Sequence, residues 1–312
     1  MEPKTGKYKF IDLFSGIGGF RLALEALGHE CIFSCEIDKY ARKTYEVNFP
    51  ATFNHPFPED IREVTDLPAC DLITAGFPCQ DFSGVGRGAG LAGSRGALFW
   101  DLARVIDLSK PSYFLLENVP RLKQGKLRPD FDLICKTLTG LGYHLEVAEL
   151  NARHFLPQDR NRLFFIGSKK PLPLKLLSPL SKNSRLRLKD IMEDEVDEKH
   201  FISEERYQKF KSAAAEKKDK GWGFMSNFER LLKPESDIAH AILSVYPRKG
   251  SSFFMIRAGD RIRGITPREC ARLMGFPDSF KIVVSDTQAY RQFGNAVCPP
   301  VIEYIVRNYL MS

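Results

Sequence analysis

Strand-like and helix-like patterns alternate through the first 170 residues, and few folds accommodate such a chain. Tyr8–Phe14 is a short apolar run that stops at the glycine-rich turn Ser15–Gly19. Phe20, Ala23, Leu24 and Leu27 follow at helical spacing, and Gly28 suits the end of that helix. Cys31–Cys35 reads as a second strand, and Asp38 as the cap of a helix running through Val47. Asp71–Ala75, Tyr113–Leu116, His144–Leu150 and Leu163–Ile166 read as further strands, with helices at Leu98–Leu108 and Phe131–Leu138. Such alternation implies crossover units and a mainly parallel sheet, so the expected fold class is α/β.

The alternation dissolves after Lys169. Pro171 and Pro173 break the chain, residues 190–198 hold six acidic side chains, and 211–220 is an alanine–lysine run suited to an exposed helix. Order returns at Arg257–Arg263, at a helix Pro267–Met274 opened by Thr266, and at Val297–Leu310, which has helical apolar spacing. Residues 169–263 carry 21 Lys and Arg against 14 Asp and Glu, which is the whole net charge of +7. A polyanion-binding module beside a neutral body fits that distribution, and so does a solvated lysine-rich surface. The seven cysteines form no C-x-x-C pair, which argues against a zinc ribbon or a thioredoxin-type site. No membrane span and no signal-peptide core are evident, so a cytoplasmic protein is expected.

Four places carry residue types suited to chemistry. Glycines in Asp12–Gly19 let a ligand approach the backbone after the first strand, and Glu36 ends the second strand where ribose hydroxyls would donate. The spacing is G-x-G-G, so no pyrophosphate seat is indicated, and a plain tight turn would look the same. Cys79 stands in Gly76-Phe-Pro-Cys-Gln-Asp-Phe-Ser83 at the end of the third strand, before a loop with six glycines between Gln80 and Gly96. A lone cysteine is commonly buried ballast, but strand ends are where α/β sheets bind ligands, and a glycine-rich loop can close over a site. Glu117 leaves an apolar strand in Glu117-Asn-Val-Pro120 as a candidate acid or a surface carboxylate. Arg160 and Arg162 alternate ahead of a strand and should face one side, whether for a ligand or for surface ion pairs.

These segments, with Thr266–Phe280 and Gln292–Val297, occur in the order found in the bacterial cytosine-5 DNA methyltransferases of restriction–modification type, which the chain resembles over nearly its whole length. The resemblance implies a Rossmann-like S-adenosylmethionine-dependent methyltransferase domain, residues 1–180 plus 288–312, and a smaller irregular target-recognition domain, 181–287. It implies a catalytic set of Cys79, Glu117, Arg160 and Arg162. Cys79 would attack C6 of a flipped-out cytosine, Glu117 would bond to N3, and the arginines would hold the base. For the cofactor, and S-adenosylhomocysteine as product, it implies Phe14, Ile17, Gly18, Gly19, Glu36, Ile37, Asp60, Ile61, Gly76, Pro78, Leu98 and Asn295. Ile37 replaces an aromatic residue common at that position, and Ala296 replaces a common serine. Gln80, Ser83, Val85 and Arg87 would approach double-stranded DNA. Arg248, Lys249, Arg257 and Arg261 are further DNA candidates by charge and position. A monomer, with any cognate restriction endonuclease acting separately, completes the expectation.

Three other readings compete. A tRNA cytosine-5 methyltransferase would share the catalytic motifs, but GFPCQDFS and TPREC favour DNA. A non-catalytic DNA-binding relative would not need the cysteine, glutamate and arginines together. A nicotinamide-dependent oxidoreductase is disfavoured by the turn spacing.

Overall fold

The computed structural model describes residues 6–50, 54–78, 97–171, 184–219, 231–235, 238–244 and 255–310. In chain order the regular elements are β1 (Lys9–Leu13), α1 (Gly19–Ala26), β2 (Glu30–Cys35), α2 (Lys39–Asn48), β3 (Leu72–Gly76), α3 (Leu98–Ser109), β4 (Tyr113–Asn118) and α4 (Arg128–Gly140). They continue with β5 (His144–Asn151), β6 (Gln158–Asp159), β7 (Asn161–Ser168), β8 (Phe201–Ile202), α5 (Glu204–Asp219), β9 (Leu231–Leu232) and β10 (Ala239–His240). The last are β11 (Met255–Ala258), β12 (Arg261–Gly264), α6 (Pro267–Leu273), α7 (Asp286–Asn295) and α8 (Pro299–Ile305).

The chain divides into two compact units. One comprises 1–151, 161–180 and 297–312, and the other 152–160 and 181–296. The first is built on a six-stranded sheet in the order β2-β1-β3-β4-β7-β5. β2, β1, β3 and β4 are mutually parallel, as the alternating pattern requires. β7 is the exception to that expectation, because it runs antiparallel to both β4 and β5. No crossover helix separates β5 from β7, so the chain turns back and the two strands pair directly. The inner strands β1, β3 and β4 are buried along almost their entire length, as in sheets covered on both faces.

The helices form where their sequences allow. Asp38 accepts the backbone N–H groups of Tyr40 and Ala41 and so starts α2. Thr266 and Glu269 form a reciprocal capping box around Pro267 at the start of α6. The C-terminal helical run begins only at Pro299 and changes to a π-helical turn over Val306–Leu310. Tyr8 donates its hydroxyl to the carbonyl of Leu310, tying the first strand region to this last turn.

The second unit has an antiparallel β8-β12-β11 ladder, with β9 added parallel to β11, and a small core around Tyr207, Met255 and Ile262. β6 pairs with β10 in a separate two-stranded ladder. No helix among the described residues is long and apolar enough to cross a membrane.

One polar network sits inside the first unit. Asp12, fully buried in β1, accepts from Thr74 Oγ1 at 3.0 Å and from the Tyr45 hydroxyl at 3.4 Å. Arg21 is also buried, its guanidinium over the rings of Tyr45 and Phe49 and its Nε on Glu25. Burial pushes the Asp12 carboxyl up to about 8, while Thr74 and Arg21 offset only part of that rise. An unfolded aspartate releases its proton near pH ~3.9. Between that value and about 8 the folded chain holds the extra proton, so stability falls as pH rises. Asp12→Asn removes the titration. In urea unfolding the variant should gain on the unsubstituted protein between about pH 4 and about pH 8, by up to about 1.4 kcal/mol per pH unit. Parallel stability curves for the two proteins would refute a titrating Asp12.

Candidate active site

The four parallel strands end on one edge, at Leu13, Cys35, Gly76 and Asn118. Open α/β sheets bind ligands outside this carboxyl edge. The turn after β1 is held in an uncommon shape. Phe14 has φ +50°, the left-handed region that non-glycine side chains rarely adopt. Ser15 donates its N–H to Cys35 O at 3.0 Å, locking the turn to the end of β2. The Ser15 hydroxyl is buried with no hydrogen-bond partner among the described residues.

Glu36, just past β2, closes the same turn from the other side. One carboxylate oxygen accepts from Gly16 N at 2.8 Å and the other from Asp38 N at 2.7 Å. Burial raises its pKa above the usual glutamate value, while these backbone donors pull it down. Gly18 caps α1 at φ +85° and offers no side chain to the helix N-terminus. A Cβ there would stand 2.2 Å from Phe49 Cε2, and one on Gly19 would stand 2.8 Å from Val297. The first turn of α1 is thus a bare, positively polarised backbone end beside a buried, unpartnered hydroxyl. That arrangement fits a ligand with a carboxylate at one end.

The other expected cofactor residues take several positions. Ile17 and Ile61 are buried, and Phe14 and Leu98 pack part-buried against the core. Ile37 is 63% exposed, an uncovered apolar side chain beside Glu36. Asp60 caps the turn Ile61–Glu63 and pairs with Arg62, whose hydrogen bonds hold its carboxyl below the usual range. Gly76 ends β3 and pairs in register with Glu117. Pro78 is the last residue described before 79. Asn295 is exposed as the final residue of α7, in the second unit.

Of the expected catalytic set, Glu117 and Arg162 meet. Arg162 Nε lies 2.8 Å from Glu117 Oε1, and both side chains are mostly buried. Arg162 also donates to Asn161 O, which restricts its rotation. Glu117 Oε2 lies 3.7 Å from where a Cβ on Gly76 would stand, so the carboxylate occupies the space that glycine leaves open. Ahead of Arg162, the N–H of Arg160 bonds to Gln158 O at 3.1 Å and kinks the chain. The Arg160 guanidinium donates to the carbonyls of Ile242, Gly294 and Ala296.

Cys79, Gln80, Ser83, Val85, Arg87, Arg248 and Lys249 lie outside the described residues. Arg257 and Arg261 are exposed on β11 and β12, and both have acidic neighbours. Arg261 makes two bonds to Glu198 and covers the Phe201 ring at 3.7 Å, while Arg257 stands 3.9 Å from Glu204. Exposed pairs of this kind are weak and leave both arginines available for exchange onto another anion.

Sequence reasoning missed Asn118. Its fully buried side chain donates to Phe77 O at 3.4 Å and accepts from Val119 N at 2.8 Å, tying the ends of β3 and β4 together. Two consecutive polar residues closing an apolar strand were the available signal. A separate cavity of about 650 Å³ opens at the amino-terminal end of β2, between Arg21, His29 and Asp66. None of the residues singled out from the sequence lines it.

The profile of the C-5 cytosine-specific DNA methylases matches residues 8–310. The chain belongs to that family. A Type II methyltransferase, M.NlaX of Neisseria lactamica, is 41% identical over 96% of this chain and 95% of its own. Another, M1.ScrFI of Lactococcus lactis subsp. cremoris, is 39% identical over 98% of this chain and 79% of its own. Among solved structures, the Dnmt2 methyltransferase of S. pombe superposes with a TM-score of 0.73 over 96% of this chain and 97% of its own. At 22% identity that likeness speaks for the fold alone, a Rossmann-like α/β architecture. As a DNA methylase of this family, the chain is a DNA (cytosine-5-)-methyltransferase.

The glycine cap yields a direct test. Gly18→Ala places a Cβ in a left-handed position and against Phe49. Its urea-unfolding free energy should fall by about 2–3 kcal/mol, from backbone strain plus overpacking. An unchanged midpoint would show that the cap is not held as described.

Proposed function

We propose that this methylase takes the methyl group from S-adenosylmethionine and places it on C5 of a cytosine flipped out of a sequence-specific site in double-stranded DNA, protecting that DNA within a restriction–modification system. The observation that carries the reading is Glu117 held by Arg162 at the strand edge beside the Gly76–Pro78 turn, immediately before Cys79. The Type II relatives support the restriction–modification context.

S-adenosylmethionine supplies an activated methyl group when bound. Its methionine carboxylate suits the bare N-terminus of α1 at Gly18 and Gly19, and its ribose suits the end of β2 at Glu36. Phe14, Ile17, Ile37, Asp60, Ile61, Gly76, Pro78, Leu98 and Asn295 complete the proposed set. Ser15 joins them because its buried hydroxyl lacks a partner among the described residues.

On the substrate side, the Cys79 thiolate adds to C6 of the flipped cytosine and forms a covalent bond. Glu117 bonds at N3 and offsets the charge that moves into the ring. Arg162 keeps Glu117 oriented through the 2.8 Å contact. The addition makes C5 nucleophilic. After methylation, loss of the C5 proton and expulsion of the Cys79 thiolate restore the aromatic ring. In the second unit, residues 181–287 serve as the target-recognition domain, where Arg257 and Arg261 exchange acidic partners for phosphate. The protein is proposed to act in the cytoplasm as a monomer, with any cognate endonuclease separate.

Cys79→Ala should lower methylation at least roughly ten-thousand-fold while leaving DNA binding measurable by gel shift. Duplex DNA carrying 5-fluorocytosine at the target should give a denaturant-resistant adduct with the unsubstituted enzyme and none with the variant. Substantial activity in the variant sinks the covalent route. Methyl transfer to tRNA in preference to DNA, assayed side by side, sinks the substrate assignment.

A further inference from the structure

Arg160 is a buried charged side chain that the proposed chemistry does not use. Its side chain is 2% exposed, and its guanidinium spans three backbone carbonyls: Ile242 O at 2.9 Å, Gly294 O at 3.0 Å and Ala296 O at 2.8 Å. Two of those carbonyls flank one residue. Asn295 lies between Gly294 and Ala296, and its own side chain is exposed while both neighbours are buried. One terminal nitrogen of the guanidinium therefore holds the backbone on both sides of Asn295 and fixes the direction in which it projects.

The surrounding contacts make this clamp specific. Gln158, fully buried, donates to Leu273 O at 2.8 Å and accepts from Ile242 N at 3.1 Å, so the 242 segment is gripped from both side chains of the kinked pair. Gly294 lets that segment pass close by. A Cβ there would stand 2.5 Å from the Leu243 carbonyl carbon and the Ser244 nitrogen. A lysine at 160 has a single head and cannot span three acceptors in this fork.

We propose that Arg160 is a positioning residue that presents Asn295 for cofactor binding, and that it does not touch the flipped base. The proposal rests on the reading of Asn295 as a cofactor contact. Carbonyls in the same unit take three of the guanidinium's five N–H groups, and at 2% exposure the side chain is closed to an incoming base. Carbonyl acceptors also satisfy the buried charge without neutralising it, which suits a permanent brace.

The test uses the full-length protein in four forms: unsubstituted, Arg160→Lys, Asn295→Ala and the double variant. Calorimetric titration with S-adenosylhomocysteine reads cofactor affinity, and single-turnover methyl transfer at saturating cofactor and DNA reads the chemistry. Each single variant should weaken affinity about tenfold or more, and the double variant should be no weaker than the worse single one, because both act through one residue. The saturated transfer rate of Arg160→Lys should stay within about threefold of the unsubstituted rate.

A slow saturated rate with unchanged affinity in Arg160→Lys would restore the base-contact role and overturn the proposal. Additive losses in the double variant would also overturn it. Unchanged affinity in Asn295→Ala would instead remove the cofactor reading beneath it, whatever Arg160→Lys does. Gly294→Ala keeps Arg160 but displaces the same segment against Leu243 and Ser244. It should weaken affinity too, and it decides the matter if Arg160→Lys does not fold; full affinity in that variant counts against the clamp.

Discussion

The ladder between β4 and β7 is the contact on which the active site depends. Because β7 runs against β4, the carboxyl end of β4 lies beside the amino end of β7, with Asn118 opposite Leu163 and Glu117 opposite Phe164. Arg162 then reaches diagonally to Glu117, a neighbour relation that antiparallel pairs provide. Had β7 followed the direction of the other inner strands, its first residues would lie at the far edge of the sheet. A carboxylate on one strand and a guanidinium 45 positions later therefore meet through strand direction alone.

Much of this arrangement was legible in the sequence. The apolar runs and helical spacings located the strands and helices of the first unit, because fully buried strands and amphipathic helices each leave a period in the chain. Local chemistry was equally readable at the helix starts: Asp38 and Thr266–Pro267 cap α2 and α6 as their residue types require. Family motifs then pointed to Glu117, Arg162 and the glycine turn.

The parts that were not legible share one physical cause: they depend on partners distant in sequence. The reversal of β7 follows from which strand it joins, and nothing in Asn161–Ser168 itself encodes a direction. The carbonyl acceptors of the Arg160 guanidinium come from positions 82 to 136 residues away. Asp12 reads as part of a polar turn motif, yet its side chain points into a fully buried network with Thr74 and Tyr45. The Asn118 carboxamide reads as part of a motif, but its work is done on the backbone of the neighbouring strand.

The first unit is assembled from three separate stretches of chain, the last beginning at Val297. Val297 packs on Gly19 at the start of α1, and Leu310 accepts the hydroxyl of Tyr8. During synthesis the ribosome must therefore deliver the chain past Val297 before the first unit acquires α8. Contacts of such long sequence separation slow folding and leave a nascent sheet with an uncovered apolar face. The nascent chain consequently passes through an interval in which every strand of the six-stranded sheet has been made but the first unit is incomplete. Protection by a chaperone matters most in that interval.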